Sequence, residues 1–179
     1  RPAVGEDMIV VGSEKSVYGI EKSTDDVRWC FSPDSDVRQI DPLRPTLDTG
    51  RVYFADAGGA VYALDIETGD PEWETKIGSG PTTAPTLCSY TEEADSAEDH
   101  SRVLIQTREG RVHALESDTG RQGWTVETGG PTRAAPVVNE GHLYTVAPMD
   151  EDGIADLLRI DCADGEQDVV CEGYFDPLV

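Results

Sequence analysis

An eleven-residue pattern recurs along the chain, and it restricts the fold more than any other feature of the sequence. Residues 63–73 and 114–124 both read small–x–acid–x–x–Thr–Gly–x–x–x–Trp, with their tryptophans 51 positions apart. A third copy at 19–29 begins 44 residues before the first of these, and a degenerate fourth copy at 159–169 begins 45 residues after the second. Self-similarity at a period of roughly 20 to 50 residues indicates a repeat architecture. We therefore expect four similar structural units.

The recurring positions are a small residue, an acid, a Thr-Gly pair and a tryptophan. In the first unit Asp25 replaces the turn glycine, and Asp tolerates the left-handed backbone conformation better than most residues do. In the fourth unit Arg159 replaces the small residue and Val169 replaces the tryptophan. The residues that we expect to form a structural docking motif are Gly19, Trp29, Ala63, Asp65, Thr68, Gly69, Trp73, Ala114, Glu116, Thr119, Gly120 and Trp124.

A second marker is a Pro followed by a short and largely apolar stretch, and one copy of it precedes each copy of the first pattern. It occurs five times, at 2–4, 45–47, 85–87, 136–138 and 177–179. The two markers together predict units at approximately 2–44, 45–84, 85–135 and 136–176, with 177–179 starting a further unit.

Each unit reads as strands separated by glycine-containing turns. In the second unit, 52–55 and 61–65 are rich in strand-forming residues, and 72–77 alternates polar and apolar side chains. Three strands of about five residues and one short strand make a four-stranded antiparallel sheet, which is the size of a propeller blade. We predict an all-β protein, a β-propeller with four four-stranded antiparallel blades. Three arrangements are open: part of a longer ring, which we favour, then two copies forming an eight-bladed ring, then a closed four-bladed ring.

Insertions and linkers between strands give the candidate contact surfaces. The segments 31–45, 77–85 and 126–136 should lie on one rim, and an acidic tongue at 88–101 should lie on the opposite rim. A second enlarged loop at 149–156 carries Asp150, Asp152 and Asp156, which could act as oxygen ligands for Ca²⁺. It lacks the spacing of an EF-hand loop, so we favour a solvated acidic loop without metal.

The balance of charge excludes some classes of partner. The chain has 36 acidic and 14 basic residues, for a net charge of −22, and only three of the basic residues are Lys. A nucleic acid partner would need clustered basic residues, so we exclude it. No apolar run approaches the length of a membrane span, so we expect no direct membrane insertion. The excess of acid and the scarcity of Lys resemble proteins of halophilic archaea, whose self-repulsion is screened at molar salt.

The pattern Ala63-x-Asp65-x-x-Thr68-Gly69-x-x-x-Trp73 resembles the tryptophan-docking motif of the pyrroloquinoline quinone (PQQ) repeat superfamily. That family includes quinoprotein alcohol dehydrogenases and non-enzymatic, BamB-like propellers. The resemblance implies that each tryptophan packs between blades, over a small residue of the neighbouring strand. It also implies an exported or cell-surface location.

We favour a non-catalytic binding or assembly scaffold, and not an enzyme, over two alternatives. One alternative is a fragment of a PQQ-dependent dehydrogenase, which would need PQQ and Ca²⁺; the other is the sensor module of a larger receptor or kinase. The enzymes of the family often carry a disulfide between adjacent cysteines, and no adjacent pair occurs in this sequence. We expect no cofactor and no catalytic residue. The expected partners are another protein, the remaining blades of the same propeller, or a second copy that completes the ring.

The cysteines and histidines form no recognisable site in the sequence. Cys30, Cys88, Cys162 and Cys171 match no zinc pattern. A disulfide between Cys162 and Cys171 and free buried thiols are both open, although the intervening turn disfavours direct pairing of those two. His113 occupies the position of Tyr18 and Tyr62, so we expect it to pack within a strand.

Overall fold

The chain folds entirely into strands and turns in the part that a computed structural model describes, residues 2–33, 45–91, 100–131, 134–147 and 155–171. These residues form four separate four-stranded antiparallel sheets, which confirms the predicted all-β blade architecture. None of the described residues belongs to a helix that could cross a membrane.

Each blade consists of four consecutive strands, paired in the order in which they occur along the chain. Blade 1 contains β1 (Ala3–Val4), β2 (Met8–Gly12), β3 (Val17–Glu21) and β4 (Val27–Phe31). Blade 2 contains β5 (Thr46–Asp48), β6 (Arg51–Ala55), β7 (Ala60–Asp65) and β8 (Pro71–Lys76). Blade 3 contains β9 (Thr86–Tyr90), β10 (His100–Gln106), β11 (Arg111–Glu116) and β12 (Gln122–Glu127). Blade 4 contains β13 (Val137–Asn139), β14 (His142–Val146), β15 (Leu157–Asp161) and β16 (Gln167–Cys171).

The blades stack through their two faces, because alternate side chains of a strand point to opposite sides of the sheet. We call the side toward the following blade the forward face and the side toward the preceding blade the rear face. Blades 1 and 2 share one apolar core, blades 2 and 3 a second, and blades 3 and 4 a third. Among the described residues, no core cluster joins blade 4 to blade 1.

The acidic tongue is shorter than the sequence suggests. Strand β9 continues through Tyr90 and β10 begins at His100, and these two residues are paired across the ladder. Their rings stack with centroids 5.7 Å apart, and the Arg102 guanidinium lies 5.2 Å above the Tyr90 ring. These ring contacts extend the hairpin into a stretch that composition alone marks as loop. The centre of the tongue, 92–99, lies outside the described residues.

Candidate functional site

The three tryptophans make the same contact at the three junctions between blades. The indole Nε1 of Trp29 in blade 1 donates to the carbonyl of Ile66 in blade 2, at 2.8 Å. Trp73 donates in the same way to Ser117 in blade 3, at 2.9 Å, and Trp124 donates to Cys162 in blade 4, at 3.1 Å. Each accepting carbonyl belongs to the turn that joins the third and fourth strands of the following blade. The contact therefore has one direction, from each blade to the next.

The motif glycines are required because the indole rings leave no room for a side chain. A Cβ at Gly69 would lie 2.5 Å from Cδ2 of Trp29, and a Cβ at Gly120 would lie 2.5 Å from Cδ2 of Trp73. Both glycines also have positive φ, 74° and 67°. Gly19 is under the same restriction within its own sheet, where a Cβ would lie 2.1 Å from Cε2 of Trp29. Gly69 and Gly120 thus serve the junction between blades as well as the turn.

The acidic residue of the motif holds the same turn in shape. The carboxylate of Asp65 accepts hydrogen bonds from the backbone N–H groups of Glu67 and Thr68, both at 2.8 Å. These bonds favour the charged form and lower the pKa of Asp65, with the Thr68 N–H contributing most. In the next blade Glu116 instead accepts from the side chains of Arg121 and Thr119, and these bonds lower its pKa. The acid is therefore a structural residue of the docking turn.

Blade 4 departs from the motif in its pairing as well as in its residues. In blades 1 to 3 the tryptophan lies opposite the small residue, and an irregularity in the ladder follows that pair. In blade 4 Arg159 lies opposite Asp168, at 2.6 Å between Nη2 and Oδ2, and Val169 lies opposite Leu158. An ion pair thus occupies the place where the other blades carry an indole ring over a small residue. Arg159 and Asp168 are partly exposed, so the pair adds little stability.

A disulfide joins blades 3 and 4, and it corrects the prediction made for the cysteines. Cys88 of β9 is bonded to Cys162, the residue whose carbonyl accepts the Trp124 indole. Both are fully buried, whereas Cys30 and Cys171 are free and exposed. The sequence left two alternatives open for Cys162, a bridge to Cys171 or a free buried thiol, and the structure shows neither of them. The two half-cystines are 74 residues apart, and they meet because the first strand of one blade packs on the docking turn of the next.

The turns lie on two rims of the stack. The lower rim contains, in each blade, the turn between the first and second strands and the turn between the third and fourth strands. These two turns are hydrogen-bonded to each other, as where Ile66 N–H donates to the Gly50 carbonyl at 2.9 Å. The upper rim contains the remaining turns and the linkers between blades, joined in the same way, as in Ile77 N–H to the Gly59 carbonyl at 2.8 Å. Of the described residues, the lower rim comprises 5–7, 21–26, 48–50, 65–70, 91, 116–121, 139–141 and 161–166, and the upper rim comprises 12–16, 32–33, 45, 56–59, 77–85, 107–110, 128–131, 134–136, 147 and 155–156.

Charge is divided unequally between these two rims. The lower rim carries fifteen carboxylates and two basic residues, Lys22 and Arg121. Within the described residues the upper rim carries four carboxylates and two basic residues, and its linker 77–85 carries no charge at all. Among the described turns, the acid is therefore concentrated on the lower rim, which the even spread of acid along the sequence does not suggest.

The upper rim is held together by close contacts between backbones. Gly59 packs on Ser79, where a Cβ would lie 2.6 Å from the Ser79 nitrogen, and Gly110 packs equally closely on Gly130. The linker 77–85 is fixed to blade 3, since Thr82 N–H donates to the Gln106 carbonyl at 2.8 Å. Such contacts make the upper rim a preformed surface rather than a set of independent loops.

No catalytic constellation is present in the described part of the chain. His113 is buried in β11, with Nδ1 3.2 Å from Oγ1 of Thr125 and no described partner at Nε2. Burial, and then the nearby Arg111, lower its pKa, so the imidazole is neutral near pH 7. Within the described ranges, no three His, Cys, Asp or Glu side chains lie close enough together to hold a metal ion. Of the Ca²⁺ candidates, Asp150 and Asp152 lie outside those ranges.

A family model described as outer membrane protein assembly factor BamB matches residues 1–97 and 89–168. BamB of Moranella endobia is 29% identical over 103 residues, which is 55% of this chain and 26% of the relative. The chain spans between a quarter and a third of the length of the three curated BamB relatives it matches.

Solved structures share the blade arrangement at low sequence identity. BamB from Moraxella catarrhalis superposes with a TM-score of 0.59 at 18% identity, over 90% of this chain and 56% of that chain. A europium-containing methanol dehydrogenase superposes with a TM-score of 0.69 at 17% identity, over 93% of this chain and 40% of that chain. These superpositions extend the propeller fold to this chain.

Proposed function

The chain belongs to the family described as outer membrane protein assembly factor BamB, and we propose that it is a non-catalytic scaffold that binds protein partners. The observation that carries the proposal is the unequal charge of the two rims. A chain of net charge −22 repels another acidic protein, and fifteen of its carboxylates lie on the lower rim. The described part of the upper rim carries only four carboxylates, so it is the surface on which such a partner meets the least repulsion.

The construction of the upper rim supports the same role. Its linker 77–85 is fixed by backbone contacts, as Thr82 is to Gln106, so little conformational entropy of this linker is lost when a partner binds. The buried side chains beneath it are satisfied across blades, since Gln106 accepts from Thr83 at 3.3 Å and donates to Thr145 in blade 4. A second copy of this chain is a further protein partner in this proposal, and it would bind through the faces of the blades rather than through the rim.

Site-specific photocrosslinking tests the proposed binding surface. A photoreactive residue at Ala135, which is exposed on the upper rim, should crosslink to protein partners in the native host. The same residue at Ser23, which is exposed on the lower rim, is the matched control and should give few crosslinks. Crosslinks from Ser23 in place of Ala135 would refute the assignment of the upper rim.

The alternative of a quinoprotein dehydrogenase has a direct test. The chain is 27% identical to a quinohemoprotein alcohol dehydrogenase of Pseudomonas putida over 100 residues, which cover 14% of the length of that enzyme. We propose that this chain binds neither PQQ nor Ca²⁺ in that manner. Addition of PQQ with Ca²⁺ should leave the quinone absorbance unchanged, whereas a saturable change would favour the enzyme.

We also propose that the protein is exported. Disulfides persist in oxidising compartments, and the buried Cys88–Cys162 bridge supports such a location. The family description names an outer membrane protein, which agrees with it. Denatured, unreduced protein from its host should react with maleimide at Cys30 and Cys171 alone. Reaction at all four cysteines would place it in a reducing compartment.

A further inference from the structure

Arg102 in blade 3 lacks the acidic partners that its counterpart in blade 2 has. Arg51 and Arg102 hold the same ladder position, each opposite the motif acid of its blade. The Arg51 guanidinium donates to two carboxylates, that of Glu72 in its own blade and that of Asp118 in the following blade, the second at 2.7 Å. This position therefore accommodates an arginine together with two carboxylates.

Both carboxylates are missing around Arg102. The residue before the docking tryptophan is Glu72 in blade 2 but Gly123 in blade 3. The second residue after the motif acid is Asp118 in blade 3 but Ala163 in blade 4. A Cβ at Gly123 would lie 1.6 Å from Arg102 Nη1, so the guanidinium occupies the space of the missing side chain. Arg102 forms no ion pair with any carboxylate of the described residues.

The motif acid opposite Arg102 is already engaged elsewhere. One oxygen of Glu116 accepts from Arg121 Nη2 at 2.6 Å, and the other accepts from Thr119 Oγ1 at 2.8 Å. Arg102 itself contacts a neutral ring, since its Nε donates to the Tyr90 hydroxyl at 3.0 Å and its guanidinium lies over the Tyr90 ring. Its Nη1 is buried and has no hydrogen-bond partner in the described part of the chain. A buried donor of a charged group without an acceptor is costly, so this cation lacks an anion.

A cleft of about 530 Å³ lies beside Arg102 at the lower rim of blade 3. Tyr90 and His100, whose rings stack, line one part of it, and Ser101 and Thr119 add hydroxyl groups. A cleft of this volume, with aromatic side chains and a few polar groups in its wall, suits a small organic ligand.

We propose that this cleft binds a small organic acid, whose carboxylate takes the place of the two carboxylates at Arg51. The planar guanidinium of Arg102 donates two parallel N–H bonds to the carboxylate, and its flexible side chain turns Nη1 toward the ligand. The rings of Tyr90 and His100 cover the organic part of the ligand.

The charge of the lower rim favours a small acid over an acidic macromolecule. Repulsion by the fifteen carboxylates of this rim grows with the charge of the ligand. A ligand with one carboxylate meets little of it, and at molar salt a Debye length of about 3 Å screens all but the contact with Arg102. The site goes beyond the scaffold role and does not depend on it. Because it lies on the lower rim, its loss leaves crosslinking from Ala135 unchanged.

Titration of the ¹⁵N-labelled chain with benzoate at constant ionic strength, followed by amide chemical shifts, tests the site. The amides of Ser101 and Gly123 should shift and saturate, whereas neutral benzamide should give no saturable shift. Arg102→Gln should weaken benzoate binding at least about tenfold, because it removes the charged donor. Arg51→Gln is the matched control and should leave binding unchanged, since that guanidinium already has its carboxylates. No saturable shift with benzoate, equal binding of benzamide, or an equal effect of Arg51→Gln would overturn the proposal.

Supplying the missing carboxylate within the chain is an independent test. Ala163→Asp places an acid where Asp118 stands relative to Arg51, so it should compete with benzoate and weaken its binding about tenfold. It should also raise the melting temperature by about 1–3 °C, the effect of one partly exposed ion pair. In an Arg102→Gln background the same substitution should give no rise. A rise of equal size in that background, or benzoate binding undiminished by Ala163→Asp, would overturn the proposal.

Discussion

Replacement of Gly120 by Ala measures how much the tryptophan docking contributes to the cohesion of the stack. The added Cβ would lie 2.5 Å from Cδ2 and Cε3 of Trp73 and 2.8 Å from Oγ1 of Thr75. Overpacking of this kind costs about 1–3 kcal/mol. The φ of +67° adds a separate cost of about 1–2 kcal/mol, because an L-residue is strained in the left-handed region.

A matched variant separates the two costs. Gly78 has a similar φ of +83°, but no atom lies within 4 Å of the Cβ that Ala would place there. Gly78→Ala should therefore carry the backbone cost alone. In thermal unfolding followed by circular dichroism, Gly120→Ala should melt about 2–12 °C below Gly78→Ala, which corresponds to the difference of about 1–3 kcal/mol in a chain of this size.

The same comparison in a Trp73→Leu background tests the cause. Without the indole, Gly120→Ala should cost no more free energy of unfolding than Gly78→Ala does. Equal losses for the two Ala variants in the wild-type background would refute the steric account, and so would an undiminished extra cost of Gly120→Ala beside Leu.

Three further predictions concern the bridge, the buried imidazole and the charge. Replacing Cys88 and Cys162 by Ser should lower the free energy of unfolding by about 4 kcal/mol, because the bridge closes a loop of 74 residues and restricts the unfolded chain. Urea unfolding measures this loss. A loss near zero would contradict the chain-entropy explanation. The free energy of unfolding should fall as pH drops below about 6.5, because burial lowers the pKa of His113 in the folded state and the unfolded chain binds a proton more readily. His113→Tyr should reduce the dependence of the free energy of unfolding on pH in this range. An unchanged pH dependence would contradict the role given to His113. We also propose adaptation to high salt, so the melting temperature should rise from low to molar KCl; no change would refute it.

The blade architecture could be predicted because its information is local. Each turn glycine, such as Gly69 or Gly120, lies only a few residues from the two strands that it joins, and the alternation of apolar residues is read within those strands. The position of Asp25 in the left-handed region likewise follows from its place in the repeat. Such signals need no knowledge of which blades touch.

The disulfide and the division of charge depend on contacts between elements, and sequence reasoning missed both. The bridge forms because Cys88 and Cys162 hold matching positions at a junction, the same positions that Gly5 and Ile66 hold between blades 1 and 2. The repeat alignment contained that signal, but only the stacking of one blade's first strand on the next blade's turn reveals it. The charge asymmetry required sorting the turns by rim, whereas the net charge of −22 counts them together.

The one-way docking contact has a consequence for how proteins of this kind change length. Each of blades 1 to 3 is a single stretch of about 45 residues that carries its own indole on one side and its own docking turn on the other. A tandem duplication of such a stretch inserts a unit that fits both of its new neighbours at once. The number of units can therefore grow by one genetic event.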